Sequence, residues 1–179
     1  MSDMDVKTGE YFTVSFNELA RRGGQVTRFH TIPTIKPNTV AAHSFGVACI
    51  TIALTDRAPS RNLLMAALFH DLVECIVGDI PRNAKVDYRV IGHAFGEVEK
   101  HLEAHHGLVV ELTEEENSML KQADIFDMLY YVTEEQILGN MRLVNAFNNG
   151  VRYLEDHELN KNAQKLLIDV KERFINGSK

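Results

Sequence analysis

Leu63-Leu-Met-Ala-Ala-Leu-Phe-His-Asp-Leu-Val-Glu-Cys-Ile-Val77 is an apolar run that carries His70, Asp71 and Glu74 where a core helix would carry aliphatic side chains. Helical spacing predicts that Leu63, Ala67, His70, Asp71 and Glu74 lie on or near one face, which stacks three polar groups within about one turn. A carboxylate withdrawn from water without compensation is costly and neutralises unless it finds a partner. A divalent cation is one such partner for Asp71. Two more ligand types occupy apolar helical surroundings: His43 in Val40-Ala-Ala-His-Ser-Phe-Gly-Val47 and Asp124 in Leu120-Lys-Gln-Ala-Asp-Ile-Phe126. Two histidines and two aspartates from three helices would make a mixed nitrogen and oxygen site for a transition metal, built from facing side chains as in helical bundles.

Outward from that run, apolar residues recur at helical spacing, and no segment sustains period-two alternation between hairpin turns. The chain is therefore read as all-α. Phe12, Phe16, Leu19 and Ala20 predict a first helix that stops at Gly23-Gly24, followed by a loop with Pro33 and Pro37. A second helix is expected from Asn38 as N-cap, and a third from Ser60 as N-cap to the turn Gly78-Asp-Ile-Pro81. A fourth is expected from about Tyr88 to about His106. Thr113 and Glu116 form a capping box for a fifth, which carries Leu120, Ala123, Asp124, Asp127 and Tyr131. Gly139 to Phe174 reads as two more amphipathic helices, ahead of a short polar tail, Asn176-Gly-Ser-Lys179. No internal repeat or low-complexity tract is present.

The 179 residues fit one domain, 1–179, able to bury most of its apolar side chains in one core. With 25% charged and 45% apolar residues the composition is globular, and no run is long enough to span a membrane. The acidic, polar N-terminus is unlike a secretory signal, and Cys49 and Cys75, outside any Cys-x-x-Cys motif, read as small core residues of a reducing compartment. A cytoplasmic location follows as the expectation. A net charge of −6 argues against binding nucleic acid polymers, which requires a basic face, but leaves room for a small anionic substrate held by a metal and a few Arg or Lys side chains.

The order His43, His70-Asp71, Asp124 in an all-α chain resembles the HD-domain metal-dependent phosphohydrolases. The closer resemblance is to bacterial 5'-deoxynucleotidases and to the small phage enzymes that hydrolyse dATP. It spans nearly the whole chain and is carried by Thr27-Arg-Phe29, Ala42-His-Ser44, Phe69-His-Asp-Leu-Val-Glu74, Gly78-Asp-Ile-Pro81 with Lys85, Leu120-Lys-Gln-Ala-Asp124, and Glu134-Glu135 through Gly139-Asn140. The implied fold is an HD-domain bundle of about six to eight helices. The implied cofactor is one divalent transition metal ion, Zn, Co or Mn, held by His43, His70, Asp71 and Asp124 with water and a phosphate oxygen completing its shell. A bound metal acidifies water and polarises a phosphoryl group. The implied reaction is hydrolysis of the 5' phosphoester of 2'-deoxynucleotides, dNMP or dNTP, with dATP and dAMP favoured, giving a deoxynucleoside and phosphate or polyphosphate.

The resemblance marks Glu74 and Asp79 as essential, and their position suits proton transfer to or from the attacking water and the leaving oxygen without dividing the two roles. By resemblance Arg28 grips the substrate phosphate, a task suited to a planar multi-donor group, and Lys85 adds a second cation. Phe29 stands where relatives carry a Trp that packs against deoxyribose; an aromatic that only anchors the loop is the equal alternative. Thr31 and Ile32 are placed to line the base pocket, where a small apolar wall suits adenine. Asp127, one turn after Asp124, is expected to hydrogen-bond behind the ligands or to face solvent. His101, His105 and His106 read as an exposed helix face with Glu97, Lys100 and Glu103.

Two rival readings remain. Hydrolysis of a signalling nucleotide such as an alarmone is disfavoured by Cys75, since small HD hydrolases of that kind place another Asp there. A metal-stabilised nucleotide-binding scaffold without activity would have no use for Glu74 and Asp79. Assembly as a dimer or higher homo-oligomer is implied by the resemblance, with the C-terminal amphipathic helices as the interface.

Overall fold

The computed structural model describes residues 14–177, and the expected contribution of Phe12 to the first helix lies outside them. The helices are α1 (Phe16–Gly24), α2 (Val40–Leu54), α3 (Arg61–Phe69), α4 (Glu74–Val77), α5 (Arg82–Asp87), α6 (Arg89–His105), α7 (Glu114–Ile137), α8 (Val144–Glu155) and α9 (Lys161–Asn176), with a 3-10 turn at Met141–Leu143. No strand occurs among the described residues; Thr27 and Thr39 make one isolated antiparallel bridge.

Side-chain caps set most of the helix starts. Ser60 Oγ accepts the Leu63 amide at 3.0 Å, and Asn160 Oδ1 accepts that of Ala163 at 2.9 Å. Thr113 and Glu116 complete the expected capping box reciprocally, at 3.1 and 2.9 Å. At α2 the cap is Thr39, whose hydroxyl takes the Ala42 amide at 3.3 Å. The expected cap, Asn38, is instead buried, and its carbonyl accepts the Arg28 amide at 2.8 Å.

The largest departure from expectation is at residues 70–73. Apolar periodicity predicts one helix through Val77, yet α3 ends at Phe69 and α4 opens at Glu74. Bonds spanning three residues, Leu72 to Phe69 at 3.0 Å and Glu74 to Asp71 at 3.1 Å, tighten the intervening turn. Tertiary contacts explain the break. Leu72 and Val73 are buried in a small cluster with Leu19, Leu102 and Leu108, while Asp71 is turned towards Arg28. Gly23 permits the close approach of α1, because a Cβ there would lie 2.6 Å from the Leu72 carbonyl oxygen. The short helix α5 is the other unforeseen element.

The main core joins α2, α7, α8 and α9 around Val47, Phe126, Leu129, Leu143, Leu154 and Val170. Helix α2 carries no charged residue and buries the side with Val40, His43, Val47, Thr51 and Leu54, while Phe45 and Cys49 lie on its exposed side, so Cys49 is not the small core residue expected and Cys75 is half-buried. It packs along α7 and α3, which brings His43, His70 and Asp124 together.

Candidate metal centre

His43 is 1% exposed and is held through its Nδ1. Its Nδ1 lies 2.7 Å from Asp127 Oδ2, and because a carboxylate only accepts, Nδ1 carries the proton. His70 Nδ1 lies 3.0 Å from the Ala67 carbonyl oxygen and is likewise the donor. Both Nε2 lone pairs therefore face inward, 3.2 Å apart. Asp71 Oδ2 lies 3.6 Å from His43 Nε2 and 3.4 Å from His70 Nε2. Two lone pairs and a carboxylate oxygen converging in this way repel one another unless a proton or a cation lies between them. The donor set suits a divalent transition metal, and the Asp127 and Ala67 contacts supply the outer bonds that orient metal-binding histidines.

Asp124 joins the group through His43, with Oδ1 3.3 Å from Nε2, while its Oδ2 takes the Lys121 ammonium at 2.6 Å. Among the described residues His43, His70 and Asp71 form the compact metal-capable trio, and Asp124 sits at its margin. Burial pushes the Asp124 carboxyl up, but the adjoining His43 imidazole and the Lys121 ammonium outweigh it and hold the group well below its ordinary value. Asp71 behaves the same way: burial opposes ionisation, and His70, Arg28 and His43 overcome it. His43 is drawn down by burial and raised, on balance, by Asp124 and Asp127.

Asp127 is the functional neighbour for which sequence left two alternatives; it hydrogen-bonds behind His43. Gly46 was missed. A Cβ there would lie 1.8 Å from Asp127 Oδ1, so only glycine lets α7 bring that carboxylate against α2. The signal was present as a glycine within an otherwise apolar helix, one turn after His43.

Glu74 opens α4 instead of continuing the helix of His70, and is buried. Burial, with Asp71 and Asp79 nearby, raises its carboxyl to about 8. Its Oε2 has no hydrogen-bond partner among the described residues, which leaves it free to handle a proton. Asp79 Oδ2 lies 3.8 Å from His30 Nδ1, linking the Gly78–Pro81 turn to the loop after α1. Sequence did not single out His30.

That loop, residues 28–38, is tied at its neck by the Arg28 amide on the Asn38 carbonyl at 2.8 Å and the Val40 amide on that of Val26 at 2.9 Å. Arg28 reaches the cluster and ion-pairs with Asp71, its Nε lacking a partner among the described residues. Burial lowers its pKa, and Asp71 and Asp124 more than restore it. Phe29 has φ +56 and stacks on Tyr131, with ring centroids 5.1 Å apart. A left-handed backbone at an aromatic costs about 1–3 kcal/mol and persists only where the surroundings impose it. Ile32 packs on the main core and Thr31 is exposed. Lys85 Nζ is bound to Glu99 at 2.9 Å, so its charge is shared with α6. His101 and His105 are exposed on α6, as expected, whereas His106 and Glu103 are half-buried.

Comparison with known proteins agrees with this architecture. A cyanophage S-2L HD phosphohydrolase, bound to dA and one catalytic Zn2+ ion, superposes with a TM-score of 0.67 at 17% identity, over 91% of this chain and 98% of that one. An HD-domain phosphohydrolase from Listeria innocua gives 0.72 at 19% identity, covering 91% of this chain and 90% of its own. The PH0347 protein of Pyrococcus horikoshii gives 0.66 at 26% identity over 88% of this chain and 97% of its own. The fold is thus the all-α HD-domain bundle. A 5'-deoxynucleotidase of Erwinia tasmaniensis is 27% identical over 147 residues, 68% of this chain and 73% of its own. A Yersinia pestis 5'-deoxynucleotidase is also 27% identical, over 144 residues. The family model for YfbR-like 5'-deoxynucleotidases matches residues 15–115, more than half of the chain. The chain belongs to the YfbR-like 5'-deoxynucleotidase family.

Proposed function

We propose that this protein, read as one HD domain over 1–179, hydrolyses the 5' phosphoester of 2'-deoxynucleotides, with deoxyadenosine nucleotides favoured. The carrying observation is the pair of inward-facing Nε2 atoms, 3.2 Å apart, whose Nδ1 protons are committed to Asp127 and Ala67. Family membership supplies the reaction class. His43, His70 and Asp71 would hold the metal, with Asp124 as fourth ligand and Zn, Co or Mn as the ion. When bound, such an ion lowers the pKa of a water and polarises phosphoryl oxygens.

The chain's own residues do the rest. Arg28, beside Asp71, offers a planar cation to the phosphate and fixes the phosphorus over the cluster. Water attacks the α-phosphorus, the bond from phosphorus to the 5' oxygen breaks, and that oxygen takes a proton. The products are a deoxynucleoside and phosphate, or polyphosphate from a triphosphate. Glu74, buried with one oxygen unpartnered, and Asp79, anchored near His30, share the two proton transfers. Phe29 lies against the sugar, Thr31 and Ile32 by the base, and Lys85 near the phosphate entrance.

No helix among the described residues is long and apolar enough to cross a membrane. We assign the protein to the cytoplasm, acting on small nucleotides and not on nucleic acid polymers. A homo-oligomer built on the C-terminal helices is supported by the exposed Ile168 and Ile175 of α9. Phosphate release from each dNMP and dNTP, with AMP as control and cobalt, manganese or zinc supplied, tests the proposal. Release from the deoxynucleotides over AMP is expected; absence of release from all of them refutes it.

A further inference from the structure

Four side chains on one face of α7 meet the site in sequence. Asp124 and Asp127 serve the metal half through His43. Tyr131 and Glu135, continuing the same three- and four-residue spacing, serve the loop that holds Arg28 and Phe29. Tyr131 stacks on Phe29 and donates its hydroxyl to the Lys36 carbonyl at 2.8 Å. Glu135 is 0% exposed, and its carboxylate accepts the Ile35 amide at 2.8 Å, the Lys36 amide at 2.7 Å and the Asn140 side-chain amide at 2.6 Å. Asn140 also donates to the Pro33 carbonyl at 3.0 Å.

An ionised carboxylate at zero exposure is an expensive way to hold a loop, and it is tolerated where several donors converge on it. The left-handed Phe29 indicates what is gained: a loop pinned at neck and tip can keep an aromatic in a conformation it would otherwise leave. From this juxtaposition we propose that Tyr131 and Glu135 are positioning residues for substrate selection, holding Phe29 and Arg28 in register with the metal half and thereby setting discrimination between deoxyribose and ribose. The proposal rests on the deoxynucleotidase reading above.

The test compares wild type with Glu135→Gln, Tyr131→Leu and Tyr131→Phe, using dAMP and AMP with cobalt. Steady-state kinetics are combined with cobalt affinity by calorimetry and hydrogen exchange of the loop amides. Glu135→Gln and Tyr131→Leu are expected to raise KM for dAMP about tenfold, with kcat within about twofold and a narrowed dAMP-to-AMP preference. Cobalt affinity should not change, and Tyr131→Phe, which keeps the stacked ring, should retain most of the preference. Unchanged KM and preference in the folded variants overturn the proposal, as does a loss of cobalt affinity parallel to that of kcat. If Glu135→Gln fails to fold, the two Tyr131 variants decide, and equal selectivity in both counts against it. If wild type hydrolyses neither nucleotide, the deoxynucleotidase reading falls by itself. The clasp is then judged by exchange at Ile35 and Lys36, where acceleration confined to the loop in Glu135→Gln supports it and unaltered exchange overturns it.

Discussion

Asp127 Oδ2 stands 2.7 Å from His43 Nδ1 and thereby decides which nitrogen of that imidazole faces Asp71 and His70. Asp127→Asn can present its amide nitrogen to Nδ1 and reverse the tautomer. Metal affinity should fall about 10–100-fold, measured by cobalt titration. Gly46→Ala should reproduce part of this loss without touching a ligand, because its Cβ would displace the Asp127 carboxylate. Wild-type affinity in both variants would contradict the assigned tautomer.

Glu74→Gln preserves shape and removes the titrating proton. Turnover should drop about 10²–10⁴-fold while cobalt still binds, as expected of a lost proton carrier. Unimpaired turnover would exclude that role.

Glu74 also gives a stability signature in the metal-free protein. Its folded value, about 8, lies above the ordinary 4.5, so the folded state holds the proton more tightly than the unfolded one. The stabilisation is complete below the unfolded value and is lost as pH rises through the window from 4.5 to about 8. Asp71 and Asp124, both lowered from 3.8, contribute stability that is lost only on acidification below that window. His43, raised above 6.5, loses its contribution towards the upper end, in the same direction as Glu74. Comparing melting temperatures of wild type and Glu74→Gln across pH 5 to about 8 isolates the carboxyl, and the variant should show the flatter profile.

Arg28→Ala should raise KM for deoxynucleotides by about tenfold or more through loss of a charge-assisted phosphate contact. Arg28→Lys should recover only part of it, since an ammonium cannot reproduce the planar donor array. Full recovery with lysine would mean that charge alone is recognised.

Chelation should lower the melting temperature and cobalt should restore it. A ligand at a hundredfold excess over its Kd adds about 2.7 kcal/mol of stability. In a variant with both His43 and His70 replaced by Ala, scanning fluorimetry should show no response to cobalt; a persistent response would place the ion elsewhere.

The candidate metal cluster was legible because His43, His70 and Asp71 interrupt apolar stretches of sequence, where a polar side chain needs a partner whatever the fold. Thr113 with Glu116 was legible because a capping box is complete within four residues. The break after Phe69 was not, since local periodicity favours continuation and the opposing contacts come from Leu19, Leu102 and Arg28, all remote in sequence. Nor was the bond of Glu135 to Ile35, which spans 100 residues. Lys85 illustrates a different gap: the sequence supplies a cation, but only the packing of α5 on α6 gives it Glu99.

The contacts that tie down the loop between Thr27 and Thr39 are largely to its main chain: the amides of Ile35 and Lys36 and the carbonyls of Pro33, Lys36 and Asn38. Main-chain attachment is indifferent to which side chains the tip displays. Exposed side chains of the segment, Thr31 among them, can therefore change without loosening its two ends or the histidine one turn beyond Thr39.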